Sequence, residues 1–301
     1  MRPTFRQLEY IVAVAETGQI GLAAQQLNVS QPSLSAQLSQ VEADLGVKLF
    51  HRGRSGSKLT PVGRETVRRA RLILRDVYEL RETVKADVFQ GQLRFGVLPS
   101  IGPYLLPNVV RRLHLEHPGF RMVVREENTQ DLDEGLRNGR LDMLISTPDD
   151  HPGTLQVPLF SEGFWAAVAD DHPLADSTEP LSLKDLTGEV LLTLGPKYRL
   201  SHIVANLARK AGARVSDEYE GTSLDAIRLM AATGAGIAIL PQIYAATEAR
   251  RGTDVRLRRV AARDAVRDIA LIQPELPEAR PGTRQIAALL VEEGTRIIGG
   301  R

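Results

Sequence analysis

The stretch NVSQPSLSAQLSQVEADLG, Asn28 to Gly46, constrains the fold more than any other part of the chain. Leu34, Leu38, Val41 and Leu45 fall within an arc of about 60° at 100° per residue, so they form one apolar stripe of a helix. Ser30 is a good N-cap, and Pro32 fits the first turn, where its missing N–H costs nothing. Gly46 ends the helix. The opposite face carries Pro32, Ser33, Ala36, Ser39 and Gln40, with Gln37 beside it. An ordinary solvated helix would place Glu and Lys there. Small uncharged side chains instead permit close approach to another body.

The neighbouring segments say which body. Phe5, Leu8, Ile11, Val12 and Ala15 recur at helical spacing, and Thr17-Gly18 stops that helix. A short second helix follows with Ile20, Ala23, Ala24 and Leu27 inward, and Asn28-Val29 is the turn. Three short helices with a tight turn before the third make a helix-turn-helix, whose third helix enters the major groove of DNA N-terminus first. Gln can pair with a base edge through its amide, and Ser can donate or accept. The expected reading set is Gln31, Pro32, Ser33, Ala36, Gln37 and Gln40. The bland alternative is a plain helical bundle with an uncharged face.

Next comes VKLFHRGRSGSKLTPVG. Val47, Leu49 and Leu59 are strand-like, and the basic, Gly-rich middle reads as a two-stranded wing. Its Arg52, Arg54 and Lys58 are expected against phosphates or the minor groove. Thr60 caps and Pro61 opens a long helix over 62–89. Ala70, Ile73, Val77, Leu80 and Val84 step by three and four along it, a coiled-coil seam that requires a second copy. Arg64, Arg68, Arg69, Arg71 and Arg75 crowd its early part. Residues 46–75 hold nine Lys or Arg against one acid, Glu65, a local charge of +8 in a chain whose net charge is +1. A polyanion responds to that local density, not to the global balance.

The segment FRQLEYIVAVAETGQIGLAAQQLNVSQPSLSAQLSQVEADLGVKLFHRGRSGSKLTPVG resembles the winged helix-turn-helix of the LysR-type transcriptional regulators. LAAQQLNVSQPSLSAQL and VEADLGVKLFHR are the specific runs. Such proteins often carry Arg or His where Ala36 stands, Lys or Arg where Gln40 stands, and Ser where Gly21 stands.

Gln90-Gly91 breaks the long helix as a hinge. Then LRFGVLPS, FRMVVREE and LDMLIST read as strands separated by the helices IGPYLLPNVVRRLHLEH and QDLDEGLRNGR, the pattern of a parallel sheet with right-handed crossovers. A second set begins near residue 165: WAAVADD, LTGEVLLTLG, a helix from Leu200 to Ala211, DEYEG, a helix from Ser223 to Thr233, and GIAILP. The strand at 267–273 and the helix 282–297 return to the first set. The expected fold is therefore α/β, with an N-terminal winged helix-turn-helix, a long linker helix and a two-subdomain effector domain. The expected boundaries are 1–61, 62–90 and 91–301, with subdomain I at about 91–164 and 267–301 and subdomain II at about 165–266. The two-subdomain part resembles the periplasmic-binding-protein fold that forms the effector domain of the LysR family. Within the family, PSIGPYLLPNVVRRLHLEHPGFRMVVREENTQDLDEGLRNGRLDMLIS and GTSLDAIRLMAATGAGIAILP look closest to the peroxide-sensing (OxyR) branch. That branch senses with a cysteine pair in the second subdomain. The corresponding stretch here, GPKYRLSHIVANLARKAG, has none, and the chain has no cysteine at all.

Ligands of open α/β sheets sit beyond the carboxyl ends of the strands. Those ends are Pro99-Ser100 before the helix at Ile101, Ser146-Thr147, and Gly221-Thr222; Thr129 begins another helix on the same side. The family lines its cleft at these positions. Helix N-termini favour an anion, and Lys197 and Arg199 follow LLTLG as countercharges. The expected effector site is Ser100, Ile101, Thr129, Ser146, Thr147, Lys197, Arg199 and Thr222, holding a small carboxylate or similar anion. A hydrated polar cleft is the alternative.

No cofactor, metal or catalytic constellation is expected. His114 and His117 are three apart, but Pro118 ends their helix and no third ligand is in view. No strand-G-x-S-x-G-helix elbow occurs, and GAGIAIL lacks the later glycines of a phosphate cradle. Trp165 reads as packing at a subdomain crossover. No apolar run reaches the roughly 18 residues of a membrane span and no signal region opens the chain, so a cytoplasmic location is expected. The expected partners are double-stranded DNA, a small-molecule effector and a second copy through the linker helix, with a tetramer left open and RNA polymerase as a further candidate. The competing reading is a cytosolic small-molecule-binding protein without DNA function, which leaves the first ninety residues unexplained.

Overall fold

The computed structural model describes residues 3–299 apart from 54–55, 84–90, 219, 250–251, 253 and 276–281. It divides into two units: residues 1–88 with 137–140, and residues 89–136 with 141–301.

In the first unit, α1 (Phe5–Thr17), α2 (Ile20–Gln26) and α3 (Gln31–Leu45) precede the hairpin β1 (Phe50–Gly53) and β2 (Gly56–Leu59), and α4 (Pro61–Thr83) follows. Thr4 and Gln7 close a capping box on α1, and Ser30 caps α3 by accepting from the Ser33 N–H. Leu8, Ile11, Val14, Ala23, Ala24, Leu34, Leu38 and Val41 make the core with Leu49, Phe50, Val67 and Ala70. The apolar stripe of α3 is shorter than the sequence suggests. Leu45 is 39% exposed, because Gly46, at φ 69°, ends the helix there and turns the chain away. Phe5 is likewise exposed rather than inward, and Val47 precedes the wing instead of joining it. The wing pairs Phe50 with Leu59 and Arg52 with Ser57. Thr60 accepts from the Gly63 N–H and donates to the Lys48 carbonyl. Gly63 is needed there, since a Cβ would lie 2.0 Å from the Leu49 carbonyl oxygen. Ala70, the first residue of the seam expected on α4, is instead buried in this core, whereas Ile73 is 44% exposed. The side chain of Leu80 and all of Val84, Gln90 and Arg54 lie outside what is described.

The second unit is built on a path of strands. β3 (Gly91–Val97), β4 (Phe120–Glu126) and β5 (Met143–Ser146) are parallel, and α5 (Gly102–Glu116) and α6 (Thr129–Arg137) connect them. β6 runs unbroken from Thr154 to Val168, much longer than WAAVADD alone. Then come β7 (Val190–Leu192), α7 (Arg199–Ala211), β8 (Arg214–Val215), α8 (Leu224–Ala232), β9 (Ile237–Pro241), the single turn α9 (Gln242–Tyr244), β10 (Arg256–Arg259), β11 (Val266–Pro274) and α10 (Thr283–Gly299). The order is β4-β3-β5-β11-β6-β9-β7-β8, with β10 on β6. The described residues of DEYEG hold no strand: pairing with β7 falls on Arg214 and Val215, and Gly221 makes an isolated bridge to Leu194. Two cores result. Phe95, Leu105, Leu113, Leu132, Leu144, Leu271 and Leu290 belong to the first, and Phe164, Leu186, Leu191, Val204, Ile227, Ile239 and Tyr244 to the second. The first half of β6 pairs with β11 beside the first core, and its second half pairs with β9 and β10 in the second. Trp165 lies in that second half, opposite Leu240 and Arg259. No helix among the described residues is long and apolar enough to cross a membrane.

Candidate DNA-reading face and effector cleft

With the apolar side of α3 seated, Gln31, Pro32, Ser33, Ala36, Gln37, Ser39 and Gln40 are all exposed. Two of the amides are already engaged. Gln37 Oε1 accepts from Gln7 Nε2 at 3.1 Å, and Gln40 Nε2 donates to Asp44 Oδ1 at 2.8 Å. The first contact holds the Gln37 amide from α1.

In this unit sequence reasoning missed Glu42. It is 3% exposed, one position beyond the apolar stripe. Its Oε1 accepts from the backbone N–H of Leu49 at 2.9 Å and of Phe50 at 3.2 Å. Its Oε2 meets Lys48 at 3.0 Å and Arg52 at 3.3 Å. Burial alone would raise its carboxyl; Lys48, the two N–H groups and Arg52 outweigh it and hold the group below the ordinary value. Glu42 therefore fastens the wing to α3. The signal was an acid immediately after Val41 on an otherwise uncharged helix face.

Arg52 changes meaning with it. Its guanidinium lies on α3, donating to Ser35 Oγ at 3.3 Å and Ser39 Oγ at 3.2 Å as well as to Glu42. It is a tether between wing and helix in this structure, not an arm extended for phosphate. Lys58 is exposed, with no carboxylate partner among the described residues, and Arg54 is outside them. On α4, Glu65 takes both Arg68 and Arg69 at 2.7 Å, and the pair pulls its carboxyl down to about 2. Part of the basic density near residue 65 is thus compensated.

In the second unit a cavity of about 490 Å³ is lined by Thr147, Asp149, Arg199, His202, Arg263 and Arg267, among others. Of the eight expected effector residues, Thr147 and Arg199 line it. Ser100 is one bond away: its Oγ accepts from Arg267 Nη1 at 3.0 Å. Thr129 and Ser146 have buried hydroxyls without a hydrogen-bond partner, as does Thr147. Thr193, just beyond β7, shares that property and was not anticipated. Ile101 is a fully buried core residue. Lys197 and Thr222 are exposed and do not line the cavity. Arg199 is not a free countercharge: its Nη1 donates to Asp150 Oδ1 at 2.8 Å. Arg267, like Arg263, is a cation of the cavity that sequence reasoning missed. It is buried and paired with Glu162, whose side chain is 0% exposed, at 2.7 Å. Among the described residues no group of three or more His, Asp or Glu is placed to hold a metal ion.

Family models match both parts of the chain. Residues 5–64 match the bacterial regulatory helix-turn-helix protein of the lysR family, and residues 86–295 match the LysR substrate binding domain. The chain belongs to the LysR family. It is 36% identical over 249 residues to the DNA-binding transcriptional dual regulator OxyR of Escherichia coli K12, covering 82% of this chain and 81% of that one. It is 32% identical over 298 residues to the hydrogen peroxide-inducible genes activator of Haemophilus influenzae, covering 98% of each. A full-length OxyR variant from Pseudomonas aeruginosa superposes with a TM-score of 0.78 at 28% identity over 97% of each chain. Full-length CbnR in complex with its target DNA gives 0.65 at 27% identity, over 98% of this chain and all of that one. This LysR-family chain is accordingly a DNA-binding transcriptional regulator with an effector-binding domain, and its family acts by regulating transcription rather than by catalysis.

Proposed function

We propose that the chain reads duplex DNA with the exposed face of α3 and is controlled by a small carboxylate, or a similar anion, in the cleft lined by Thr147, Arg199, Arg263 and Arg267. The observation that carries the first half is the uncharged, exposed row Gln31, Ser33, Ala36, Gln37 and Gln40 on a helix whose other side is closed by Leu34, Leu38 and Val41. Lys58 and Arg64 supply sequence-independent attraction. The experiment is selection of bound genomic fragments by the purified protein, followed by binding to the recovered operator. Gln37→Ala should weaken operator binding by about 1–3 kcal/mol and binding to random duplex much less. Equal losses on both would show that Gln37 does not face a base edge.

The second half is supported by the buried, unpartnered hydroxyl of Thr147, which lines the cavity with Arg199, Arg263 and Arg267, and by two more such hydroxyls at strand ends, Ser146 and Thr193. A buried hydroxyl left unbonded costs free energy, which a ligand oxygen offsets. Several relatives are called hydrogen peroxide-inducible genes activators. With no cysteine in the sequence, this chain cannot form a disulfide in response to peroxide.

The regulator acts as a dimer through α4, with domains bounded near residues 61 and 90. Ile73, exposed on one protomer, is the start of the seam. Ile73→Glu should leave the circular dichroism of the protomer intact and convert the dimer to monomer in sedimentation, with loss of tight operator binding. A dimer that survives this charge would place the interface elsewhere.

A further inference from the structure

Asp150 and Arg199 meet across the cleft. Asp150 closes the short 3₁₀ turn Pro148–Asp150 after β5, in the part of the unit built on the first core. Arg199 opens α7, whose Leu200, Val204 and Leu207 belong to the second core. The pair is one-third exposed on the Arg199 side and 15% exposed on the Asp150 side.

The contact is only half made. An arginine fork and a carboxylate pair best through two parallel bonds. Here Arg199 Nη1 meets Asp150 Oδ1, whereas Arg199 Nε and Asp150 Oδ2 are buried and make no hydrogen bond. Burial pushes the Asp150 carboxyl up; Arg199, His151 and His202 oppose this and Asp149 reinforces it. The carboxylate thus pays in desolvation for a contact of one bond. The surroundings are also incomplete. Thr147, 4% exposed and lining the same cavity, has a hydroxyl with no partner. The N-cap of α7, Tyr198, offers no side-chain cap to the first turn, where the Ser201 N–H donates to the Tyr198 carbonyl at 3.0 Å. A carboxylate lying between Thr147 and the start of α7 could accept from the Thr147 hydroxyl, from the first-turn N–H groups ahead of Ser201 and from the edge of the Arg199 fork that carries Nε and Nη1.

We propose that Asp150 is a built-in competitor for the effector: it holds Arg199 across the cleft until a small carboxylate takes Arg199, Thr147 and the first turn of α7 in its place. This rests on the effector site proposed above and assigns its regulation. Displacement removes the ion pair that ties the two halves of the unit together on this side, so ligand occupancy and the relation of the halves are coupled through one residue pair. A ligand shifts such an equilibrium only by its differential affinity for the two arrangements. Removing the competing charge therefore raises affinity for the ligand.

The test uses the full-length protein and two probes of similar shape, malonate and its neutral analogue malonamide, measured by calorimetric titration at constant ionic strength. Asp150→Asn should bind malonate about tenfold more tightly than the wild type. Asp150→Ser, made in parallel, should do the same and guards against a defect specific to Asn. Adding Arg199→Gln to Asp150→Asn should abolish the gain, and malonamide should be indifferent to all three changes. Equal malonate affinity in wild type and Asp150→Asn, absence of malonate binding to Asp150→Asn, or a gain that survives loss of Arg199 would each overturn the competitor. Failure of the cleft itself looks different. If metabolites that raise the melting temperature of the wild type do so equally for Thr147→Val, the effector binds elsewhere, whatever Asp150 does.

Discussion

Arg267→Ala should destabilise the regulatory unit by about 3–5 kcal/mol, because it strands a buried carboxylate. Glu162 is 1% exposed and Arg267 4%. Glu162 Oε1 accepts from Arg267 Nε at 2.8 Å, and Oε2 accepts from the backbone N–H of Ile243 at 2.8 Å. Arg267 reaches further, to Ser100 Oγ, and its guanidinium lies 5.9 Å from the Phe164 ring centroid. One side chain thus joins β11, β6 and the loop before α5, at the point where β6 passes from one core to the other. Trp165, the sole tryptophan, lies three residues from Glu162, so urea unfolding followed by its fluorescence reports this unit. The double change Glu162→Gln with Arg267→Met should recover much of the loss, since an apolar or neutral pair removes the stranded charge. A loss below about 1 kcal/mol for Arg267→Ala would mean that water reaches Glu162, and the pair would not be the junction described.

The parts of this fold that were legible in the sequence are those fixed by local periodicity and punctuation. The stripe of α3 with Ser30 and Gly46 at its ends, the wing before Thr60-Pro61, and the run of strands and helices from Gly91 to Ser146 need no distant partner to be recognised. The parts that were not legible depend on pairing between distant segments. β6 begins eleven residues before WAAVADD because β11, more than one hundred residues later, supplies its partner. β10 is four residues of mostly arginine, RLRR, whose strand character comes from β6 alone. Arg258 within it is buried because it donates to the carbonyls of Leu174 and Glu179, an outlet that composition cannot reveal. The site divides in the same way. Exposure of Gln31, Ser33 and Gln37 follows from the phase of one helix. That Arg199 meets Asp150, that Arg267 meets Glu162, and that Lys197 and Thr222 are exposed away from the cavity lining are outcomes of tertiary packing. Charge counting marked cations near residue 65 but could not show that Glu65 holds two of them.

Glu42→Ala should loosen the wing and weaken binding to every duplex, not to the operator alone. The substitution leaves the N–H groups of Leu49 and Phe50 without their acceptor in a buried setting, at about 1–3 kcal/mol each. It also releases Arg52 from the anchor that sets it against Ser35 and Ser39. Since both N–H groups flank the entry to β1, hydrogen exchange in residues 47–53 should accelerate before that of α1 or α2 changes. The same contact gives the unit an acid limb. The Glu42 carboxyl titrates below its ordinary value of 4.5 in the folded protein. Its contribution to stability is therefore complete above that value and is lost as pH falls through the lower folded one. Glu42→Gln keeps an acceptor for the two N–H groups but cannot be protonated in this range, so it should be less damaging than Ala and should flatten the acid limb. Exchange rates at residues 47–53 that are equal in wild type and Glu42→Ala would remove Glu42 as the fastener. The wing would then owe its position to the hydrophobic contacts of Leu49 and Phe50 alone.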